Sequence, residues 1–466
     1  MNTINALRTF FDNRISQGAP NLFFVAVSGG PDSALLLHRL AEFREEYSFD
    51  LIALHYNYHL HEHADKAEQL IRDRVEKYGV MLVSACLGRS QLLEQGNHGL
   101  EARARDLRYD WFDHIGELYE SAGVFLGHHR RDQVETVLLN IGRGTGLYGL
   151  SGMEPVQKIQ GGLNRFRPFL NCEKEQINRE IKELEIPYVN DPTNQNTDFT
   201  RNWIRNELLP AWEQHQPDPT GALTQISRQA RTENEFWEKH LIQKIAFDVL
   251  GGEIQVDVRN LREATPAERK RFLHFISRKY CGGPGSWDRV HIELLENLSL
   301  EQPSGNGIDL PEEYRAVKEY NWLSIFPRES ISQSDRPVPV RELPFTSSDW
   351  TAGRLFIGQT RDQMGGMPLV SNLHYNQIEQ LTLRTWNTGD RVETGQGTMS
   401  VKELFQEMRV PYRARRLWPM VILNCEVICV PGLVSTKVRS YESKTSIGFW
   451  PEHPAFHRLG LVKSKQ

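Results

Sequence analysis

The chain has 466 residues, 39% of them hydrophobic, and 55 Lys and Arg against 60 Asp and Glu give it a formal charge of −5. That length exceeds one ordinary core and predicts about three domains. No apolar run is long enough to cross a bilayer and no basic-then-apolar segment opens the chain, so membrane insertion and export are set aside and a cytoplasmic enzyme is expected.

Residues 25 to 33 read Val-Ala-Val-Ser-Gly-Gly-Pro-Asp-Ser, a short apolar strand that runs into a glycine turn and then into the helical run 34–40. Gly29 and Gly30 permit a sharp turn and a close backbone approach to an anion, while Ser33 and the first free N–H groups of the helix point at it. No lysine follows, so the Walker A pattern fails. Ser28-Gly29-Gly30-Pro31-Asp32-Ser33 instead resembles the PP-loop of ATP pyrophosphatases, which split ATP between its α and β phosphates. The plain alternative is a strand-to-helix turn whose Ser, Gly and Asp serve only as turn and cap residues.

Strands and amphipathic helices alternate through the first two hundred residues, the pattern of a doubly wound parallel α/β sheet. Strands are expected over 49–57, 80–85 and 123–129, with helices over 65–78 and 101–121 between them. In such a sheet ligands sit beyond the carboxyl ends of the strands, which gathers Ser28, His55, Asn57, His128 and His129 around one crevice. Asp132 and Glu135 follow about one turn apart at a helix start. As a capping box they are structural; beside the histidines and Asp32 they could hold magnesium on ATP phosphates, bind an ammonium group or take a proton from an amine.

More specific stretches follow in order: Gly99-Leu100-Glu101-Ala102-Arg103-Ala104-Arg105-Asp106-Leu107-Arg108-Tyr109, then His128-His129-x-x-Asp132-Gln133-x-Glu135-Thr136, then Gly142-Arg143-Gly144-Thr145-Gly146. Beyond them come Asp191-Pro192-Thr193-Asn194, the run 200–210 with Arg201 and Arg205, and Gly389-Asp390-Arg391 through Lys402 to Arg413, Arg415, Arg416 and Pro419. With the loop, these resemble the tRNA(Ile)-lysidine synthase family over nearly the whole chain. The resemblance implies a two-step reaction on the wobble cytidine of the isoleucine tRNA with a CAU anticodon. ATP adenylates the C2 oxygen with loss of pyrophosphate, and free L-lysine then displaces AMP. ATP and Mg2+ are the implied cofactors. Ser28, Gly29, Gly30, Pro31, Asp32, Ser33 and His55 would hold the nucleotide, helped by Arg105 or Arg143, with Asp32 and Asp132 on magnesium. Glu135 would grip the lysine and Asp132 or His129 would take its proton, because an amine attacks only when unprotonated. A homodimer is admitted beside a monomer.

The likeness has departures. Residues 55–61 read His-Tyr-Asn-Tyr-His-Leu-His where the family usually has His-Val-Asn-His-Gly-Leu-Arg, so Tyr58, His59 and His61 are altered. Arg131 stands where a second acid is common; it would salt-bridge on the helix surface or contact a substrate phosphate. Arg201 and Arg205, four apart on one helix face, are expected to touch the tRNA backbone or close over the catalytic site, against a merely solvated face.

Polar, proline-bearing hinges at 214–221 and 326–337 divide the chain into a catalytic domain, 1–215, a helical middle domain, 216–326, and a smaller strand-rich α+β domain, 340–466, the last two expected to bind tRNA. Helices are expected over 227–249 and 266–280, and one near 401–408. Residues 375–466 carry 13 Lys and Arg against 8 Asp and Glu. Lys402, Arg413, Arg415 and Arg416, interleaved with Tyr412 and Trp418, are therefore a candidate tRNA surface or ordinary solvated charge. Cys86, Cys172, Cys281, Cys425 and Cys429 form no C-x-x-C pair, so no disulfide framework or zinc site is expected, and Cys425 and Cys429 are read as packed on one face of a single strand, 421–430. That cysteine pattern also argues against a PP-loop tRNA thiolase or amidating ligase. A non-catalytic tRNA-binding relative is disfavoured by the intact Asp32, Ser33, His129, Asp132 and Glu135.

Overall fold

Strand β1 (Leu22–Ala26) buries side chains on both faces, as a central parallel strand must. Phe23 and Val25 join Phe10 and Phe11 of helix Thr3–Arg14 and Leu36, Leu40 and Phe43 of helix Pro31–Tyr47 in one core. Phe24 packs on the other face with Tyr109, Phe112 and Ile115 of helix Leu100–Tyr119. The computed structural model describes residues 2–14, 21–57, 64–86, 100–159, 162–189, 200–281, 287–328, 338–340, 345–347, 353–358, 369–373, 381–394, 397–435, 445–453 and 456. The expectations for His59, His61, Tyr58 and 191–194 lie outside them. Among the described residues no helix is long and apolar enough to cross a membrane.

Around β1 stand β2 (Asp50–Asn57), β3 (Met81–Cys86), β4 (Val124–Phe125), β5 (Val156–Gln157) and β6 (Arg165–Phe166), in the order β3-β2-β1-β4-β6-β5. All pairs are parallel except β5 with β6. The chain runs outward from β1 to β3 and returns to β4 on the other side, so a crevice opens between the carboxyl ends of β1 and β4. This is the doubly wound sheet predicted from the alternation.

Two glycines set how closely that crevice is built. Gly29 has φ +84°, and a Cβ there would stand 2.9 Å from Cβ of Ala67. Gly127, just past β4, faces helix Pro31–Tyr47: an added Cβ would lie 3.0 Å from the carbonyl carbon of Asp32 and 3.1 Å from the nitrogen of Ser33. The loop therefore rests directly on the end of β4, beside His128 and His129.

The chain divides into two compact units, Met1–Trp237 and Glu238–Gln466, and not at 214–221. Helix Pro219–Lys244 begins within that predicted hinge, and its residues up to Trp237 belong to the first unit. Leu223 packs with Val134, Val137, Ile204 and Leu209. The Thr224 hydroxyl accepts from Arg130 Nε at 3.1 Å, and the Ser227 hydroxyl from Gln133 Nε2 at 2.8 Å.

In the second unit the expectation of a helical region needs a correction. Helices Val258–Glu263, Pro266–Tyr280 and Arg289–Leu300 are present, but so is an antiparallel sheet of β7 (Phe247–Leu250), β8 (Glu253–Asp257), β9 (Gly307–Leu310), β10 (Tyr314–Glu319) and β11 (Trp322–Pro327), in the order β7-β8-β11-β10-β9. Val249 is thus in a strand. Each strand is only four to six residues long, too short for a two-residue period to stand out. Beyond residue 337 the described residues are strand-rich, with helix Val401–Glu407 near its predicted place and a second, Tyr412–Leu417. The run 421–430 is a hairpin, Pro419–Leu423 with Glu426–Val430. Asn424 and Cys425 form its turn at φ 47° and 69°, the left-handed pair of a type I′ turn, so Cys425 is exposed while Cys429 is buried.

Replacing Gly127 by Ala is expected to lower the urea midpoint by the equivalent of about 1–3 kcal/mol, because helix backbone rather than a yielding side chain meets the new methyl. Gly142→Ala, where an added Cβ meets nothing within 4 Å, should change the midpoint little. Equal midpoints for the two variants would refute the close approach.

Candidate active site

Helix Pro31–Tyr47 starts without a side-chain cap: Gly30 is extended, Pro31 occupies the first turn, and Asp32 follows. Proline fits there because the first helical N–H has no partner to lose. Ser33 closes the loop on itself. Its hydroxyl donates to the Gly30 carbonyl at 3.1 Å, accepts the Ser28 N–H at 3.2 Å and lies 3.2 Å from the Ser28 hydroxyl. The uncapped N–H groups at this helix end are what an anion would meet. Beneath, the buried His55 donates from Nδ1 to the Val27 carbonyl at 2.8 Å.

Asp32 Oδ1 is paired with Lys174 Nζ at 2.5 Å. Lys174 opens helix Lys174–Glu183, and the ion pair of Arg130 with the preceding Glu173 fixes that start next to the His129 region. Sequence spacing gave no hint of Lys174, since 142 residues separate it from Asp32.

His129 caps helix Arg130–Gly142. Its Nδ1 accepts the Arg131 N–H at 3.2 Å, and Asp132 Oδ2 accepts the His129 N–H at 2.9 Å, a reciprocal capping box. A neutral His129 therefore carries its proton on Nε2. That nitrogen faces Asp132 Oδ2 at 3.4 Å and Asp32 Oδ1 at 3.8 Å, so one imidazole edge joins the loop acid to the helix acid. The capping role and the site role coexist in Asp132.

Two arginines close the other side. Arg201 Nη2 and Arg205 Nη2 reach Asp132 Oδ1 at 3.2 and 3.3 Å. Glu135, fully buried, accepts from Arg201 Nε at 2.8 Å and from Arg205 Nε and Nη2 at 2.6 and 2.7 Å. Burial pushes the Asp132 carboxyl up, but His129, Arg201, His128 and the His129 N–H outweigh it and hold it well below the ordinary value. Arg201 and Arg205 are raised: burial opposes this, and the carboxylates of Asp132 and Glu135 prevail. Glu135 is saturated in this state; to grip a lysine ammonium it would have to exchange an arginine for it.

The arginines owe their placement to a proline. Residues 200–213 run as one helix with a π turn at Ile204–Leu208, where the Leu209 N–H bonds to the Ile204 carbonyl. That leaves the Arg205 carbonyl seeking residue 210, which is proline and has no N–H. Arg131 Nη2 fills the gap at 2.9 Å. In place of the surface salt bridge expected of Arg131, this contact to a backbone acceptor tethers the two helices. The sequence signal was Leu209-Pro210 inside a helical run.

Arg105 and Arg143, expected to help hold the nucleotide, take no part in this acid–arginine cluster. Arg143 is the exposed C-cap of helix Arg130–Gly142, about 17 Å along its axis from Asp132 at 1.5 Å per residue. Arg105 lies with its guanidinium carbon 5.3 Å from the Tyr109 ring centre. For magnesium, Asp32 and Asp132 supply hard oxygen donors on either side of His129. Among the described residues no group of three His, Cys, Asp or Glu is placed to hold an ion, and a two-carboxylate site suits a cation that keeps water and phosphate ligands.

The PP-loop domain family matches residues 3–212, and the TilS substrate C-terminal domain family matches residues 381–446. A Bacillus licheniformis protein named tRNA(Ile)-lysidine synthase is 30% identical over 429 residues, 88% of this chain and 88% of its own length. The chain belongs to the tRNA(Ile)-lysidine synthase family. Relatives of the same name from Geobacillus kaustophilus and Clostridium tetani are 29% and 26% identical, over 92% and 90% of this chain and 94% and 91% of theirs.

Within the part that matches the family's C-terminal domain, the expected tRNA surface splits. Lys402 and Arg416 are exposed. Arg413 is not: it is 6% exposed, with Nη1 on Glu253 at 2.8 Å, Nη2 on Glu319 at 3.2 Å and its guanidinium 4.0 Å from the Phe326 ring centre. Arg415 is buried too, donating to the Val410 carbonyl and the Tyr320 hydroxyl, both at 2.8 Å. Trp418 is core, its Nε1 donating to the Pro431 carbonyl at 3.1 Å. The helix of Tyr412–Leu417 turns Arg413 inward because two buried carboxylates need it, and Arg416, three positions on, outward.

Arg413→Ala would leave Glu253 and Glu319 without their cation. It is expected to destabilise the 238–466 unit by about 3–5 kcal/mol in a urea titration, while Arg416→Ala stays within about 0.5 kcal/mol. A stable Arg413→Ala protein that had lost only tRNA affinity would return that residue to the RNA surface.

Proposed function

We propose that the protein is an ATP-dependent ligase that converts the wobble cytidine of the CAU-anticodon isoleucine tRNA to lysidine through an adenylated intermediate. Family membership supports the reaction. The observation that carries the site assignment is that Asp32 of the loop and Asp132 of the acid–arginine cluster meet across one imidazole, so cleavage of the nucleotide and attack by an amine share one crevice.

In the first step the cytidine C2 oxygen attacks the α phosphate and the bond to the β phosphate breaks, releasing pyrophosphate. The Ser28–Ser33 loop and the free N–H groups of its helix hold the phosphates by directed donors already in place. Asp32 and Asp132 would hold magnesium, which neutralises phosphate charge when bound. Lys174 stands on Asp32 where phosphate oxygens would enter. In the second step a lysine amine forms the bond to C2, the C2–oxygen bond breaks, and AMP leaves with that oxygen. The amine's proton passes to Asp132: His129 offers no free lone pair while Nδ1 accepts the Arg131 N–H. Glu135 fixes Arg201 and Arg205, which orient Asp132.

Incubation with ATP, Mg2+, labelled lysine and the CAU tRNA transcript is expected to place label in the RNA, and a transcript with uridine for the wobble cytidine to take none. Label in both would refute the acceptor. Asp132→Asn should abolish lysine transfer, and full transfer by that variant would remove it as the proton acceptor.

The pH profile follows from the depressed carboxyl. A lowered carboxyl stays ionised at every pH above its ordinary value of 3.8, so Asp132 contributes no falling limb between about pH 5 and 9, and single-turnover transfer should rise with pH as the amine, near pKa 10.4 in water, sheds its proton. An acid limb centred near pH 6 that persists in Asp132→Glu would show another group taking the proton.

A further inference from the structure

Positive charge also gathers around one phenol close to His128. Tyr109 is 5% exposed, and its hydroxyl has no hydrogen-bond partner among the described residues. The guanidinium carbon of Arg165 lies 3.8 Å from its ring centre, with Arg105 at 5.3 Å and Arg108 at 5.4 Å. Arg167, at the end of β6, is buried, gives Nη1 to the Glu154 carbonyl and Nη2 to Gln157, each at 2.9 Å, and aims Nε at His128 Nδ1, 3.3 Å away. Among the described residues the carboxylate that pairs with these four guanidiniums is Asp113 alone, 3.8 Å from Arg165.

The electrostatics agree with the geometry. Burial by itself would raise the Tyr109 phenol, yet Arg105, Arg108, Arg167 and Arg165 bring it below its ordinary value. Burial, with Arg105 and Arg165 adding to it, pushes Arg167 down to about 10. Burial holds His128 well below its ordinary value, so its neutral ring accepts from Arg167. Four cations with one paired carboxylate and a buried donor with no acceptor make a cluster short of counter-charge.

We propose that Arg105, Arg108, Arg165 and Arg167, together with the Tyr109 hydroxyl, form a phosphate subsite that takes one phosphate group of a substrate beside His128. Guanidinium forks match phosphate oxygens, and a phenol adds a directed donor. The identity of the substrates rests on the function proposed above, and two of them carry the right group: the RNA backbone flanking the cytidine, and ATP.

The test uses the full chain with Arg108→Gln, Arg165→Gln and Tyr109→Phe. Binding of the CAU tRNA transcript is measured across a salt series, and the KM for ATP by pyrophosphate release. If the subsite holds an RNA phosphodiester, each arginine variant weakens tRNA binding about tenfold and flattens the slope of log affinity against log salt by about one, with the KM for ATP unchanged. If it holds a nucleotide phosphate, the KM for ATP rises about tenfold and the salt slope stays. Both quantities unchanged in folded variants overturn the proposal. Tyr109→Phe keeps the ring on which the arginines pack, so it serves should a Gln variant unfold, with an expected loss of about three- to tenfold on the same axis. Wild-type lysine incorporation is measured alongside: if it fails while the variants still lose tRNA or ATP affinity, the reaction falls and the subsite stands.

Discussion

The imidazole of His129 is held at both ends, and the arrangement of the crevice depends on that. One nitrogen is committed to the helix N-terminus, where it satisfies a backbone N–H that would otherwise be orphaned. The other nitrogen therefore has one direction to point, between Asp32 and Asp132. A cap is normally a matter of local stability; here it also fixes the spacing of two carboxylates from different strand ends. Gly127 makes that spacing reachable, since any side chain there would push the loop helix off the end of β4.

Next to this joint lies a compact set of charges: two carboxylates and two guanidiniums, with Glu135 wholly buried. Such a group costs desolvation, and taking away one member leaves the rest far worse off than the intact set. The balance of two against two makes it self-consistent without a ligand. A substrate amine entering there must exchange with an arginine rather than fill a vacancy. Both arginines sit on one helical segment, which Arg131 tethers through the Arg205 carbonyl.

Much of this was legible in the sequence because it is local. The glycine turn, the strand alternation and the acids three apart at a helix start are short-range patterns, and the crevice follows from the rule that ligands gather at strand ends. What escaped was long-range or inverted. Lys174 meets Asp32 only because the sheet brings distant helix starts together. Arg413 and Arg415 look like RNA-facing charge in a basic stretch, yet Glu253 and Glu319 turn one of them inward from 160 and 94 positions away. Asn424-Cys425 were read through as strand because neither residue is glycine, although Asn tolerates the left-handed turn. The middle sheet was hidden by strands too short to show their period.

The π turn at Ile204–Leu208 has a bearing on phase. In a regular α-helix, side chains five positions apart point about 140° away from each other. Ile204 and Leu209 are five apart, yet both are buried in one cluster with Val134, Val137 and Leu223. The wider turn absorbs the extra residue and brings both anchors to the same side, while Arg201 and Arg205 keep to the side of the acids. Restoring an N–H at position 210 would therefore do more than mend a hydrogen bond. It would let the helix rewind, rotating one anchor out of the apolar cluster. The missing proton of a single proline is in this sense what keeps the apolar and charged faces of the segment in register.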